Sequence, residues 1–505
     1  MVRPCFLALV AEAAALFVPG QKPLNPAQLP ISGDDDDPRP FVDTASLQDQ
    51  IQIQNLWKRA EKLYELAQEG EEQYGHPTRV IGSEGHRATI KYIKSELASL
   101  GDYYNVSEQS FGAVSGNVYE FRLVIDDTVP ASTSTMGLTP ATTDKEPVFG
   151  DLVLVKGDGC QESDYPAHVK GNIAFIQRGT CSFGAKSQLA GKAGALAAVV
   201  YNTDPEELHG TLGTPSRHQI ATFGLGGKEG SEYAELLGRG KVLSASAYID
   251  ADVDTIKTYN IIAQSASGDP NNCVMLGGHS DSVAEGPGIN DDGSGSLSVL
   301  EVAVQLAKYR VKNCVRFAWW SAEEEGLLGS DHYVDSLSDK ENLKVRLFMD
   351  YDMMASPNFA YQIYNATDDS SPAGSEALRD LYINWYKEKE LNYTLIPFDG
   401  RSDYDGFIKG GIPAGGIATG AEGVKTMEEE AMFGGKAGDW YDSNYHQIGD
   451  DLTNLNLTAW EINTKLIAHS VATYAASFEG FPERSKLHAE TQQPLFKYHG
   501  NKLIM

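Results

Sequence analysis

A chain of 505 residues, 41% of them hydrophobic, has enough apolar material for more than one core, and two or three domains suit that length. Asp and Glu number 70 against 41 Lys and Arg, a formal net charge of −29. Such a surface repels nucleic acid and anionic lipid, so neither is expected as a partner, and it suits a soluble, acid-tolerant protein.

In chain order, Met1-Val2-Arg3 followed by the mostly apolar stretch Cys5–Val18 has the form of a signal peptide, with Arg3 in its basic head and Glu12 interrupting the apolar run. Residues 1–18 are assigned to it. The stretch is too short to span a bilayer, and no later run reaches about 20 apolar residues, so no membrane anchor is expected. Residues 19–45, rich in Pro and Asp, read as a pro-segment that is disordered as far as about Asp43. Leu56, Ala60, Leu63 and Ala67 then recur at helical spacing. A second helix is predicted from Ala88 to about Leu100, and a strand over Tyr119–Ile125. Residues 127–147, rich in Thr, Ser and Pro, connect into a segment of different character.

That segment, taken as an inserted domain over residues 131–255, carries short predicted strands at Leu152–Val155, Asn172–Gln177 and Ala198–Tyr201 around one small-residue helix from Ala185 to Ala195. Nothing in it looks catalytic, and His168, His209 and His218 read as surface histidines. From Asn260 onward, the strands Val274–Gly278, Val315–Ser321, Val345–Tyr351 and Ala414–Thr419 alternate with helices, the first of which is marked by Val299, Val302, Ala303 and Leu306. The expected fold class is α/β, with a mixed, largely parallel sheet covered by helices on both faces. Ligands in such sheets bind beyond the carboxyl ends of the strands. The core is assigned to residues 46–130 and 256–480, with residues 481–505 as a C-terminal tail.

Five cysteines occur. Cys5 belongs to the signal peptide, and the other four allow three pairings. Cys273 and Cys314 each precede an apolar run; adjacent parallel strands would put both at one end of the sheet. The expected pairs are Cys160–Cys181 and Cys273–Cys314. Sequons at Asn105, Asn365, Asn392 and Asn456 suit a glycosylated, secreted protein, with a vacuolar destination as the alternative.

The chemistry lies at four predicted strand ends: Gly278-His279-Ser280-Asp281 with Gly288-Ile289-Asn290-Asp291-Asp292-Gly293, then Ser321-Ala322-Glu323-Glu324-Glu325, Asp350-Tyr351-Asp352 and Tyr445-His446. Each alone has an ordinary explanation, such as a helix-opening acidic run or a hydrogen-bonded histidine. Together they place several carboxylates at one sheet edge, where mutual repulsion is severe unless cations neutralise it. Two imidazoles among carboxylates suit zinc better than magnesium or calcium.

Two resemblances follow from these residues. Gly171–Phe183, continuing through Lys186 and Ala193-Gly194-Ala195, resembles the protease-associated domain, a β-rich insert found beside peptidase cores. His279–Gly295, Phe317–Glu324, Asp352–Asn358 and Gly400-Arg401-Ser402-Asp403-Tyr404 resemble the zinc aminopeptidases of the fungal secreted and vacuolar kind, over about residues 50 to 480. The second resemblance implies the zinc exopeptidase fold and two Zn2+ per subunit. His279 and Asp352 would hold one ion, Glu324 and His446 the other, with Asp291 shared. It further implies Glu323 as general base, Tyr445 opposite the developing negative charge, Asp281 orienting His279, and Arg401 positioning substrate. The Asp291–Asp292 peptide would be cis.

The implied enzyme is a monomeric, co-catalytic two-zinc metalloaminopeptidase that removes Leu-like apolar residues from peptides with a free N-terminus. Asn444 and Gly449 stand where many relatives have cysteines, so the loop carrying His446 is expected to lack a staple, and either to be more mobile or to lean on metal for its order. Tyr404 stands where bacterial relatives often have His. A carboxypeptidase of the same fold and a non-catalytic, receptor-like binding module remain as alternatives.

Overall fold

Leu56, Ala60, Leu63 and Ala67 are the buried stripe of a helix over Ile53–Ala67, as a 3.6-residue period requires. The computed structural model describes residues 37–213, 215–367 and 371–484. The expected signal peptide, most of the pro-segment and residues 485–505 lie outside the described residues. The ordered chain begins earlier than its composition suggests. Val42 is buried, Phe41 bridges to Arg310, and Asp43 caps the helix Thr44–Asp49 by accepting from the Ser46 amide. At the other end Phe481 is buried in the main core and Arg484 donates to the carbonyls of Asn342 and Val345. The second helix spans Glu84–Ala98, starting four residues before the predicted Ala88 because Ser83 caps it through the His86 amide.

The strands in chain order are β1 Tyr104–Ile125, β2 Thr133–Thr135, β3 Val148–Leu154, β4 Ile173–Gln177, β5 Ala197–Tyr201, β6 Thr222–Leu225 and β7 Ser244–Ser265. They continue as β8 Asp269–His279, β9 Asn313–Trp320, β10 Val345–Tyr351, β11 Gln362–Tyr364, β12 Thr394–Ile396 and β13 Ala414–Ala418. In the core their order is β12-β11-β13-β10-β8-β9-β7. The central pairs β13/β10, β10/β8 and β8/β9 are parallel, whereas β11/β13 and β9/β7 are antiparallel.

Alternate residues of each central strand face opposite cores, as the two-residue period of a strand demands. Val274, Leu276, Phe317 and Trp319 pack under the helices Ile53–Ala67, Gly293–Leu306 and Leu457–Ala476. Met275, Ala318, Trp320 and Phe348 pack on the other face against Tyr333, Val334 and Phe407, from the helices Leu328–Ser336 and Tyr404–Lys409. The sheet is therefore covered on both sides.

β1 is the largest departure from the sequence reading: 22 residues where seven were predicted. It pairs antiparallel with the equally long β7, and this ribbon runs from the core into the insert, where β3 joins β7. β3, β4, β5 and β6 continue as a parallel sheet that ends in the antiparallel β2. The insert also holds two helices, Phe183–Lys192 and Gly227–Gly238; the second, like β6, is absent from the sequence reading. Disulfides join Cys160 to Cys181 and Cys273 to Cys314. Asn105 and Asn392 are exposed, while Asn365 and Asn456 are half-buried and Asn456 caps the helix Leu457–Ala476. Among the described residues no helix is long and apolar enough to cross a membrane.

Candidate metal centre

His279 is the last residue of β8, Glu323 and Glu324 follow β9, and Asp352 follows β10. The carboxyl ends of three neighbouring parallel strands thus deliver four of the sequence-predicted residues. Asp291 arrives from the loop before the helix Gly293–Leu306, and His446 from the loop over residues 441–450. His446 Nε2 lies 3.0 Å from Glu324 Oε2 and 3.1 Å from Asp291 Oδ2. His279 Nε2 lies 3.3 Å from Asp291 Oδ1, 3.8 Å from Asp352 Oδ1 and 3.9 Å from Glu323 Oε2. The two oxygens of Asp291 therefore face different imidazoles. All six side chains converge.

The surrounding shell fixes this placement. His279 Nδ1 is 3.2 Å from the Asp281 carbonyl and 3.8 Å from its carboxylate, so the carbonyl is the nearer acceptor. A carbonyl only accepts, which puts the ring proton on Nδ1 and turns the Nε2 lone pair toward the cluster. The Asp281 carboxylate instead receives the Glu323 and Glu324 amides. Asp292 accepts from the His279, Gly295 and Met353 amides, tying β8, the helix start and the turn after β10 together. The Asp291–Asp292 peptide is cis. A side chain at Gly295 would strike the Tyr351 carbonyl at 1.9 Å, so this approach of helix to strand requires glycine. Ala322, Met353 and His446 have φ of 60°, 55° and 58°, so three of the delivering turns pass through the left-handed region.

Several organising residues carry no signature in the sequence. Arg79 is fully buried and donates to the carbonyls of Ser280, Pro287, Gly288 and Asp291, so one guanidinium spans the loop between His279 and Asp291. Burial lowers its pKa, opposed by the nearby carboxylates of Asp281, Asp292, Asp450 and Asp291. Asp450 accepts from the Asn290 and Asp291 amides, and Asn454 donates to both Asp442 and Asp450. Arg79→Met, which leaves four carbonyls and a carboxylate cluster without this donor, is expected to lower stability by about 3 kcal/mol. Denaturant unfolding of the two proteins, compared at equal slope, measures it.

The loop expected to be loose is held in another way. Gly449 sits against the Asn444 side chain, with the position of a Cβ only 2.3 Å from Asn444 Oδ1. Asn444 donates to Asn454 Oδ1 at 2.8 Å, and its amide donates to Asp442. Hydrogen bonds thus tie this loop without a disulfide. Tyr404 is buried, with its hydroxyl donating to Asp399 and accepting the Gly400 amide, so it braces the Gly400–Tyr404 turn from within.

Burial, opposed by His446 and reinforced by Asp291, pushes Glu324 up to about 7. Burial, opposed by His279 and reinforced by Asp291, raises Asp352 to about 6. Glu323 is driven well above the ordinary range by burial and, against His279, by Glu324, Asp403 and Asp352. Burial would raise Asp291 too, but the His279 and His446 imidazoles outweigh it and hold that carboxyl below its usual value. A cavity of about 350 Å³ opens over the cluster. Tyr364, Ile396, Val424, Tyr441 and Tyr445 contribute apolar wall, and Arg401 joins it paired to Glu422 at 2.7 Å. The Tyr445 ring stacks on His446 with centroids 3.8 Å apart.

Comparison with known proteins agrees with this geometry. Residues 260–471 match Peptidase family M28, and residues 148–233 match the PA domain. The chain is 50% identical over 483 residues to Aminopeptidase Y of Saccharomyces cerevisiae, covering 92% of this chain and 88% of that protein. It is 42% identical over 472 residues to Leucine aminopeptidase 2 of Trichophyton equinum, covering 91% of each. Among solved structures, the aminopeptidase from Aneurinibacillus sp. strain AM-1 superposes with a TM-score of 0.68 at 26% identity, over 86% of this chain and 96% of that one. The zinc aminopeptidase BSAP from Bacillus subtilis shares the fold with a TM-score of 0.57 at 21% identity, over 85% of this chain and 96% of that one. With a relative this similar along nearly its whole length, the chain belongs to peptidase family M28 and is an aminopeptidase.

Proposed function

We propose that this aminopeptidase works with two zinc ions, held by His279 and Asp352, by Glu324 and His446, and by Asp291 between them. The observation that carries the reading is a set of orphaned donors. His279 Nε2, His446 Nε2, Glu324 Oε1 and Asp352 Oδ1 are all buried without a hydrogen-bond partner. Buried polar atoms left so are rare and call for an occupant. Two imidazole nitrogens among carboxylate oxygens form a donor set that zinc favours. Such ions, when bound, acidify a water and polarise a carbonyl.

The chain's own residues supply the rest. Glu323 stands beside Glu324 at the cavity floor, free to take the proton of the attacking water and pass it to the leaving amine as the C–N bond breaks. The Tyr445 hydroxyl, whose pKa is raised by burial and by the Asp291 and Glu324 charges, keeps its proton and donates to the carbonyl oxygen as negative charge grows there. Carboxylates in the cavity wall attract the substrate's ammonium group, which restricts cleavage to chain ends. The aromatic and aliphatic wall suits a Leu-like first side chain. Arg401, neutralised by Glu422, is left to position substrate.

The boundaries proposed are a core over residues 46–130 and 256–480 interrupted by an insert over 131–255, which the two matched ranges support. The two disulfides support a secreted or vacuolar site of action. A carboxypeptidase would need a cationic pocket for a terminal carboxylate, and the one Arg in this wall is already paired. The discriminating experiment compares leucyl p-nitroanilide with its N-acetylated form. Acetylation is expected to lower kcat/KM by about a thousandfold or more. Equal turnover of the two would refute the N-terminal reading.

A further inference from the structure

A hydrolase that cuts a chain must house both halves of it, and the 350 Å³ cavity houses one. A second cavity of about 610 Å³ lies between the insert and the core, with Glu324, Glu325 and His446 in its wall. Glu324 lines both cavities, so the cluster stands between them. The outer walls of the second cavity come from β1, through Asn117, Tyr119 and Phe121, and from β2 and Glu285.

Three properties of this groove specify an occupant. β2 closes the sheet and pairs with β6 on one side only, and an edge strand is a template for an extended backbone. Tyr119 and Phe121 are 63% and 43% exposed, unusually open for aromatic side chains lining a concave wall. The lining contains neither Lys nor Arg, yet it includes the exposed Glu285 and Glu325, whose Oε2 is buried without a hydrogen-bond partner. The roles assigned above leave Glu325 unused.

We propose that this groove binds the residues that follow the scissile bond, in extended form, and that it favours basic and aromatic side chains among them. The proposal rests on the cluster being the hydrolytic centre. The insert then acts as a specificity element, reading the peptide body while the core removes its first residue.

The test compares leucyl p-nitroanilide, which has no peptide beyond the bond, with the tetrapeptides Leu-Lys-Phe-Ala and Leu-Glu-Glu-Ala. The wild type is expected to prefer the Lys-Phe peptide by about tenfold in kcat/KM. Asn117→Trp, which narrows the groove far from the cluster, is expected to lower kcat/KM for that peptide by about tenfold and to leave the anilide within about twofold. Glu285→Lys, at an exposed position that tolerates change, is expected to reverse the charge preference with the anilide again unmoved. Equal effects on peptide and anilide, or none on either, overturn the groove assignment and leave the aminopeptidase reading standing. Absence of any turnover by the wild type, on peptide and anilide alike, overturns the hydrolytic reading itself.

Discussion

Glu323→Gln is expected to lower hydrolysis of leucyl p-nitroanilide by about a hundredfold or more while leaving bound zinc unchanged. The glutamine preserves shape and removes only the basic oxygen. Of the six converging side chains, Glu323 is the one not assigned to hold a metal, so its loss should be felt in kcat and not in metal content. Its carboxyl is buried and crowded by Glu324, Asp403 and Asp352, which raises its proton affinity well above that of a free glutamate. The rise belongs to the cation-free chain; bound zinc opposes it, which leaves the carboxylate ionised and able to accept a proton. Metal analysis beside steady-state kinetics decides the matter. Retained metal with unchanged turnover rejects Glu323 as the base, whereas lost metal would make it a ligand.

Removing metal should make stability fall as pH rises. In the cation-free folded chain, Glu324 titrates at about 7 and Asp352 at about 6, and burial with repulsion from Asp352 brings Asp350 to about 7. The unfolded chain releases the same protons near 4. Between about pH 4 and 7 the folded state holds more protons, so its stability falls as pH rises through that window. His279 and His446, both raised in the folded state against the effect of burial by neighbouring carboxylates, act in the same sense at higher pH. Asp291, held low, contributes fully at every pH above its unfolded value, and His86, which burial lowers to about 3, runs against the trend below its unfolded value but is outweighed by the three carboxyls. Metal-stripped protein is therefore expected to melt about 5 °C or more lower at pH 7.5 than at pH 5. Added zinc is expected to abolish the difference, because a cation that binds only the folded state stabilises most where its ligands are deprotonated. Calorimetry with and without chelator reads both effects. A stripped protein equally stable at the two pH values would show that the cluster does not carry its charge in this way.

Legibility in the sequence followed the length scale of each feature. His279-Ser280-Asp281 and Glu323-Glu324 were readable only jointly: each alone has an ordinary explanation, several at successive strand ends do not, and the individual roles came from the family resemblance. The central strands were readable because residues such as Val274–Leu276 and Phe317–Trp320 are buried on both faces and form continuous apolar runs. The ribbon was not. Much of β1 between Asn105 and Val118 is exposed or half-buried, so no apolar alternation marks it and only its last third was seen. Arg79 was invisible for a different reason. It grips main-chain carbonyls about 200 residues away, and carbonyls belong to every residue. Asp450 and Asn454 likewise act on amides and on one another, in a network that exists only once the loop has closed. The missing staple of the loop carrying His446 was visible in sequence, whereas the Asn444–Gly449 contact within it was not.

β1 and β7 cross from core to insert with hydrogen bonds along nearly their whole length, shifting register once between Val118 and Glu120. A laddered ribbon of that kind ties the two regions through main-chain hydrogen bonds in two strands at once. The second cavity lies along this ribbon, so one of its faces is built from β1 itself. If the proposed groove holds the peptide, a frayed, extended amino terminus can lie along that face, while one tucked into a folded body cannot.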